Sequence, residues 1–178
     1  MVTITFLGAD AAADEAERGT VTDLVNLAYD GAEQGLWVRT VPRSTRSDTV
    51  QAIVAGQQLV ARDDDGALVG AMRIQLADAH TTWFGALAVA PRHAGRGVAR
   101  QLVVFAEAWA RSRGANAMQI EVLQPQPAHP HTDRLAAWYG RLGYVRVATR
   151  DLADIDAGVV PLLAATSCAV IVMRKAIA

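Results

Sequence analysis

The chain is poor in cysteine, nearly free of net charge, and without a long apolar run. Cys168 is its only cysteine, so no intrachain disulfide can form and a cysteine-based zinc site is not expected. The 17 Lys and Arg residues stand against 18 Asp and Glu, a formal net charge of −1. That balance offers neither nucleic acid nor an anionic membrane surface a reason to bind. Apolar stretches stop far short of the roughly 18–20 residues of a spanning helix. The run Cys168 to Met173 has only the length of a strand. Met1 to Phe6 lacks a basic leader and acidic residues follow, so a secretory signal is not expected. These absences point to a cytoplasmic protein with no membrane and no nucleic-acid partner.

What is present suits a folded globule. With 178 residues the chain fits one domain at about 100–200 residues per domain, taken here as residues 1–178. Hydrophobic residues make up 52% and charged residues 20%, which excludes a disordered or collagen-like chain. Val2, Ile4 and Phe6 alternate as in an edge strand. Asp14 to Tyr29 carries Val21, Leu24, Val25 and Ala28 at helical spacing. Ser47-Asp48 caps a second short helix that ends before Gly56. Gln58 to Arg62 and Ala67 to Leu76 read as strands joined by Asp63-Asp64-Asp65-Gly66, an Asp-Gly hairpin turn rather than a metal site. Thr81 to Val89 is a further strand. Val98, Leu102, Phe105, Ala106 and Trp109 form one stripe of a helix over 98–112. Ala117 to Leu123 alternates as a strand, and the three prolines within Gln124 to His131 make a loop. Leu135, Trp138, Tyr139 and Leu142 share a helical face stopped by Gly143. Tyr144 to Thr149 and Ala169 to Arg174 close the chain as strands, while Asp151 to Thr166 shows no pattern. The order predicts an α/β sandwich around a mixed, mostly antiparallel sheet.

Leu87-Ala88-Val89-Ala90-Pro91-Arg92-His93-Ala94-Gly95-Arg96-Gly97-Val98-Ala99-Arg100 carries the chemistry. A strand runs through a glycine loop into an amphipathic helix, whose first turn has spare N–H groups and partial positive charge. Such a corner suits phosphate. A Walker loop is excluded because no Gly-Lys-Ser/Thr follows. A dinucleotide fingerprint fits poorly, since Gly95-x-Gly97-x-Ala99 is preceded by a β-meander. A plain strand–turn–helix with glycines for packing stays open on the loop alone.

Two motifs decide between them. Ala94-Gly95-Arg96-Gly97-Val98-Ala99 resembles the Gln/Arg-x-x-Gly-x-Gly/Ala motif of the GNAT superfamily of N-acetyltransferases. Leu135-Ala136-Ala137-Trp138-Tyr139-Gly140-Arg141-Leu142-Gly143-Tyr144 resembles its second motif, an aromatic-Tyr pair followed by Leu-Gly-Phe/Tyr. The likeness covers residues 58 to 150, and it implies a single-domain GNAT-like α/β sandwich that binds acetyl-CoA as co-substrate and needs no metal. By that resemblance Leu87, Ala88 and Val89 pair with the pantetheine arm, and the amides of Gly95, Arg96, Gly97, Val98 and Ala99 hold the pyrophosphate. Gly97 and Ala99 would be small so that the diphosphate can approach, and Arg92, Arg96 and Arg100 add positive charge. Tyr139 matches the tyrosine that protonates the departing thiolate.

Some positions depart from the family. Ala94 stands where Gln or Arg is usual. The glutamate often found before the first motif falls near Trp83, and Thr132 and Leu135 replace an Asn and an Ala. Glu121, alternating with Ile120 and Val122 on a strand, is then the candidate base. Tyr29, Trp37 and Arg46 match the places that line an acceptor pocket. His129 and His131 lack a third metal ligand in register and read instead as part of a loop near the acceptor entrance. The resulting expectation is direct acetyl transfer from acetyl-CoA to a primary amine of a small molecule or peptide. The alternatives are a non-catalytic acyl-CoA sensor or a nucleotide-binding module on the same scaffold. Edge strands at both ends of the chain leave room for a homodimer.

Overall fold

The alternating segments become strands and the striped ones helices in a computed structural model of the chain, which describes residues 2–38, 42–164 and 167–177. In order these are β1 (Thr3–Phe6), α1 (Glu15–Ala32), α2 (Arg46–Val54), β2 (Gln58–Arg62), β3 (Leu68–Leu76), β4 (Thr81–Val89), α3 (Val98–Ser112), β5 (Ala117–Gln126), α4 (Pro130–Arg141), β6 (Val145–Asp151), α5 (Leu152–Ile155) and β7 (Ser167–Ala176). The strands form one sheet in the order β1-β2-β3-β4-β5-β7-β6. Every neighbouring pair is antiparallel except β4 and β5. A single α/β domain with a mixed, mostly antiparallel sheet is the observed architecture.

Helices cover both faces, because each face of the sheet presents its own apolar set. Val21, Leu24 and Val25 of α1 pack on Val60, Ala71 and Ala88. On the opposite face Leu102, Val103 and Ala106 of α3 meet Leu59, Met72 and Phe84. Gly70 permits that close approach: a Cβ there would stand 3.0 Å from both Leu102 Cδ1 and Val98 Cγ1. A buried charge fixes the far part of α3. Glu107 is buried, takes Lys175 Nζ on both carboxylate oxygens at 2.8 Å, and accepts the Tyr144 hydroxyl at 3.1 Å. Such a carboxylate is tolerated only because it is paired and hydrogen-bonded.

The boundaries differ from the sequence reading at several places, among them the start of α4 at Pro130 and both ends of β7. Thr45, not Ser47, caps α2, in a reciprocal capping box with Asp48, the geometry that satisfies two orphan donors at once. β5 continues to Gln126, through Pro125, because that stretch has left β4 and has only β7 as partner. A strand with one free side tolerates proline. Tyr144 lies ahead of β6 as a buried core residue. The unpatterned segment holds α5 and a 3₁₀ turn over Val160–Leu162, with Ala165 and Thr166 outside the described residues.

Candidate active site

Only the first part of the parallel pair is joined. Thr81, Thr82 and Trp83 of β4 pair with Ala117, Met118 and Gln119 of β5, and beyond them the strands separate. A bulge accompanies the parting: the β3–β4 register shifts between Ala71 and Arg73, and Ala86 adopts φ 48°. A bulge adds twist and bends the strand that carries it. Between the parted strands lies a slot of about 300 Å³. Leu87, Ala88 and Val89 line one wall, and Glu121, Val122 and Leu123 line the other.

The glycine loop stands at the mouth of this slot. After a 3₁₀ turn over Pro91–His93, Gly95 and Gly97 take φ of +73° and +81°, and Gly97 is the N-cap of α3. The first bond of the helix runs from the Gln101 N–H to the Gly97 carbonyl at 3.0 Å. The N–H groups of Val98, Ala99 and Arg100 therefore have no helical acceptor and keep their donor capacity for an anion. Arg96 is different: its N–H donates to the His93 carbonyl at 3.3 Å, so the amides from Gly95 to Ala99 do not all face outward. A Cβ at Gly97 would meet no protein atom within 4 Å. The demand within the chain is thus for a left-handed backbone, which L side chains resist. Ala99 lines the slot, while the side chains of Arg92, Arg96 and Arg100 are exposed beside it. His93 Nε2 lies 3.8 Å from Asp63 Oδ2, tying the β2–β3 hairpin to the loop. Asp63 also accepts the N–H groups of Asp65 and Ala67, shaping the turn. No group of three or more His, Cys, Asp or Glu among the described residues could hold a metal ion. No described helix is long and apolar enough to cross a membrane.

Helix α4 supplies the next wall. Tyr139 reaches the slot although only 2% of it is exposed. Its ring packs against Phe84, Trp138 and Tyr144, with centroids 4.8–5.8 Å apart. Burial, with a smaller contribution from the nearby Tyr29 phenol, pushes its pKa far above the ordinary value, so it stays a protonated donor. His131, in the first turn of α4, lines the same slot. Burial, then Arg134 and His129, hold its pKa below the usual imidazole value. A neutral imidazole lining the same slot as Glu121 is a second proton acceptor, because the first turn of α4 faces the opening. Thr132 donates from Oγ1 to the His129 carbonyl at 2.9 Å and, like Leu135, lines the slot.

From the opposite face α1 contributes Tyr29 and Glu33, joined by Arg43. The Arg43 guanidinium lies 4.8 Å from the Tyr29 ring centroid. Burial raises the Tyr29 pKa despite this cation. Trp37 lines an adjoining cavity of about 280 Å³ that shares Glu33, Arg43, Glu121 and Leu123 with the slot. Arg46 is not brought to either cavity; exposed at the start of α2, it binds Asp23 at 3.2 Å. Trp83 lays its ring across Gly85, where a Cβ would stand 2.4 Å from Trp83 Cη2. The resemblance expects a glutamate near this position, where this chain has an indole. Glu33 and Arg43 line the slot without any signal in the sequence, and only the fold shows that they face the same opening as His131.

Comparison with known proteins agrees with this geometry. Residues 23–144 match the model of the acetyltransferase (GNAT) family. The structure is similar to that of the PaiA N-acetyltransferase from Thermoplasma acidophilum in complex with coenzyme A, with a TM-score of 0.73, 14% identity, and 99% of each chain covered. An aminoglycoside 6′-N-acetyltransferase complexed with coenzyme A gives a TM-score of 0.70 at 15% identity, covering 99% of this chain and 97% of that one. A GNAT family acetyltransferase from Elizabethkingia anophelis with acetyl-CoA bound gives 0.67 at 15% identity, covering 98% and 97%. A search of curated proteins finds no match. With the family match spanning well over half the sequence and a sheet that opens beside a glycine-capped helix, the chain belongs to the GNAT family of acetyltransferases.

Proposed function

We propose that this chain moves the acetyl group of acetyl-CoA to a primary amine of a small molecule or peptide, by direct attack within a ternary complex. The observation that carries the reading is the parting of β4 from β5 beyond Trp83 and Gln119, next to the free amides that open α3. On the side turned from β3, where β5 no longer pairs with it, the backbone of Leu87, Ala88 and Val89 would hydrogen-bond the pantetheine arm. The amides of Val98, Ala99 and Arg100, with the bends at Gly95 and Gly97, would hold the pyrophosphate, and Arg96 and Arg100 would add charge from the rim. Transfer itself requires few groups. The neutral amine nitrogen forms a bond to the thioester carbonyl carbon while a strand amide polarises the oxygen. The C–S bond breaks with its electrons on sulfur, and Tyr139 gives the thiolate a proton. An amine that arrives as an ammonium ion first gives that proton to solvent, and Glu121 or His131 takes the proton lost by the nitrogen as the amide forms. Tyr29 and Trp37 form the acceptor wall, whereas Arg46, bound to Asp23, supports the helix pair.

The test is Tyr139→Phe, followed by release of free thiol with a true acceptor. Loss of a positioned acid is expected to lower kcat by about 10²–10⁴-fold and leave acetyl-CoA affinity unchanged; undiminished turnover removes the acid role. The indole at Trp83 and the alanine at position 94 favour a second reading, a non-catalytic acyl-CoA sensor. Calorimetric binding of acetyl-CoA with no amine acetylated in a broad library would establish that reading instead.

A further inference from the structure

The cavity that adjoins the slot has a charge pattern that narrows the acceptor. It lies on the α1 face, bounded by Trp37 and Pro42 from the segment after α1 and by α5 with the residues following it. Its apolar surface comes from Leu123, Leu152, Ile155, Val159 and Val170. Three carboxylates line it, Glu33, Glu121 and Asp156, against a single guanidinium, Arg43, among the described residues. Two of the carboxylates are held in place. Glu33 Oε2 accepts the Trp37 indole N–H at 2.7 Å, and Asp156 Oδ1 accepts the Gly158 N–H at 3.1 Å. The Arg43 guanidinium lies over the Tyr29 ring, 4.8 Å from its centroid, and is one positive charge against three negative ones. The Trp37 ring adds a face of the kind cations favour.

Such a space is hospitable to positive charge on an apolar body and hostile to a second anion. The apolar part of the lining lowers the local dielectric below that of water and strengthens both the attraction and the repulsion, most at the half-buried Glu33 and Glu121, while the exposed Asp156 acts from the rim. Building on the acetyl-transfer reading, we infer that the acceptor is a cationic amine on an apolar ring or chain with no carboxylate beside the nitrogen, and that Glu33 and Asp156 select it by charge. An α-amino acid would place its carboxylate next to the reacting nitrogen, within the field of Glu33 and Glu121. Its decarboxylated counterpart meets no such repulsion.

Matched pairs isolate this charge. The coenzyme A-loaded protein is titrated calorimetrically with tyramine, tyrosine and tyrosine amide, and with pentylamine and norleucine. Tyramine and pentylamine are expected to bind at least tenfold more tightly than tyrosine and norleucine, with tyrosine amide close to tyramine. In the Glu33→Gln, Asp156→Asn double variant the ratio should shrink below threefold. Equal or tighter binding of the amino acids, a ratio that survives the double variant, or no binding by any of the five compounds overturns the inference. Mass-spectrometric assay of tyramine with acetyl-CoA is read separately. Tyramine bound by charge but left unacetylated counts against the transfer reading while the charge selection stands.

Discussion

The two sides of the slot are built by different means. On the α3 side the groups proposed to bind are main-chain donors drawn from one short stretch, residues 87–100, and their direction is set by two left-handed glycines and a bulge at Ala86. On the α1 side they are side chains from α1, the segment after it, β5 and α5, segments far apart in the chain. A main-chain site tolerates many side chains provided that the backbone bends correctly, and so it can be shared by proteins of little sequence identity. A side-chain site can change its ligand by one substitution. One wall therefore suits a ligand that stays constant, and the other a ligand that varies.

This contrast can be broken on either side. The largest effect is expected from Gly97→Val. A β-branched residue at φ +81° costs about 1–3 kcal/mol of backbone strain, relieved by moving the donors of α3. Acetyl-CoA affinity measured calorimetrically should fall at least tenfold, while amine selectivity is retained; unchanged affinity would mean that the amides are not the anchor. A smaller effect belongs to the other wall. Trp37→Phe removes the N–H that orients Glu33, a hydrogen bond contributing about 0.5–1.5 kcal/mol. The KM for the amine should rise about two- to tenfold with no change in acetyl-CoA affinity, and a parallel change in both would merge the two walls into one.

The smallest effect is an absence. Burial raises the Tyr139 pKa, so its acidic form persists to higher pH than that of an exposed phenol. A rate–pH profile should then show no descending limb near pH 10, where an unperturbed tyrosine titrates. The direction reverses for His131, whose proton is lost at lower pH than usual. If it is the base, the ascending limb lies below about pH 6.5, and His131→Gln removes it. A limb at pH 10 that disappears in Tyr139→Phe would show that the phenol is wetter than its packing implies.

The same division explains what could be read in advance. Gly95, Gly97 and the stripe from Val98 to Trp109 are contiguous, and each reports a local need: a left-handed turn or an apolar helical face. The succession of strands along the chain followed from alternation and a hairpin turn, and motif and alternation singled out Tyr139 and Glu121, both of which line the slot. Arg46 was misplaced because matching a position cannot show that Asp23, one helix away, captures the side chain. Glu33, Arg43 and Asp156 carry no local signature; each looks like a surface charge until the fold gathers them. α5 escaped notice because a four-residue helix is too short to display a period.

The slot draws its lining from both faces of the sheet, Tyr29 and Glu33 from one and Leu135 and Tyr139 from the other. On the proposed reading each reactant has its own doorway, and neither has to leave before the other arrives. Two carbons and an oxygen are then all that cross the sheet, and a bulky acceptor can remain largely outside while its nitrogen reaches the middle.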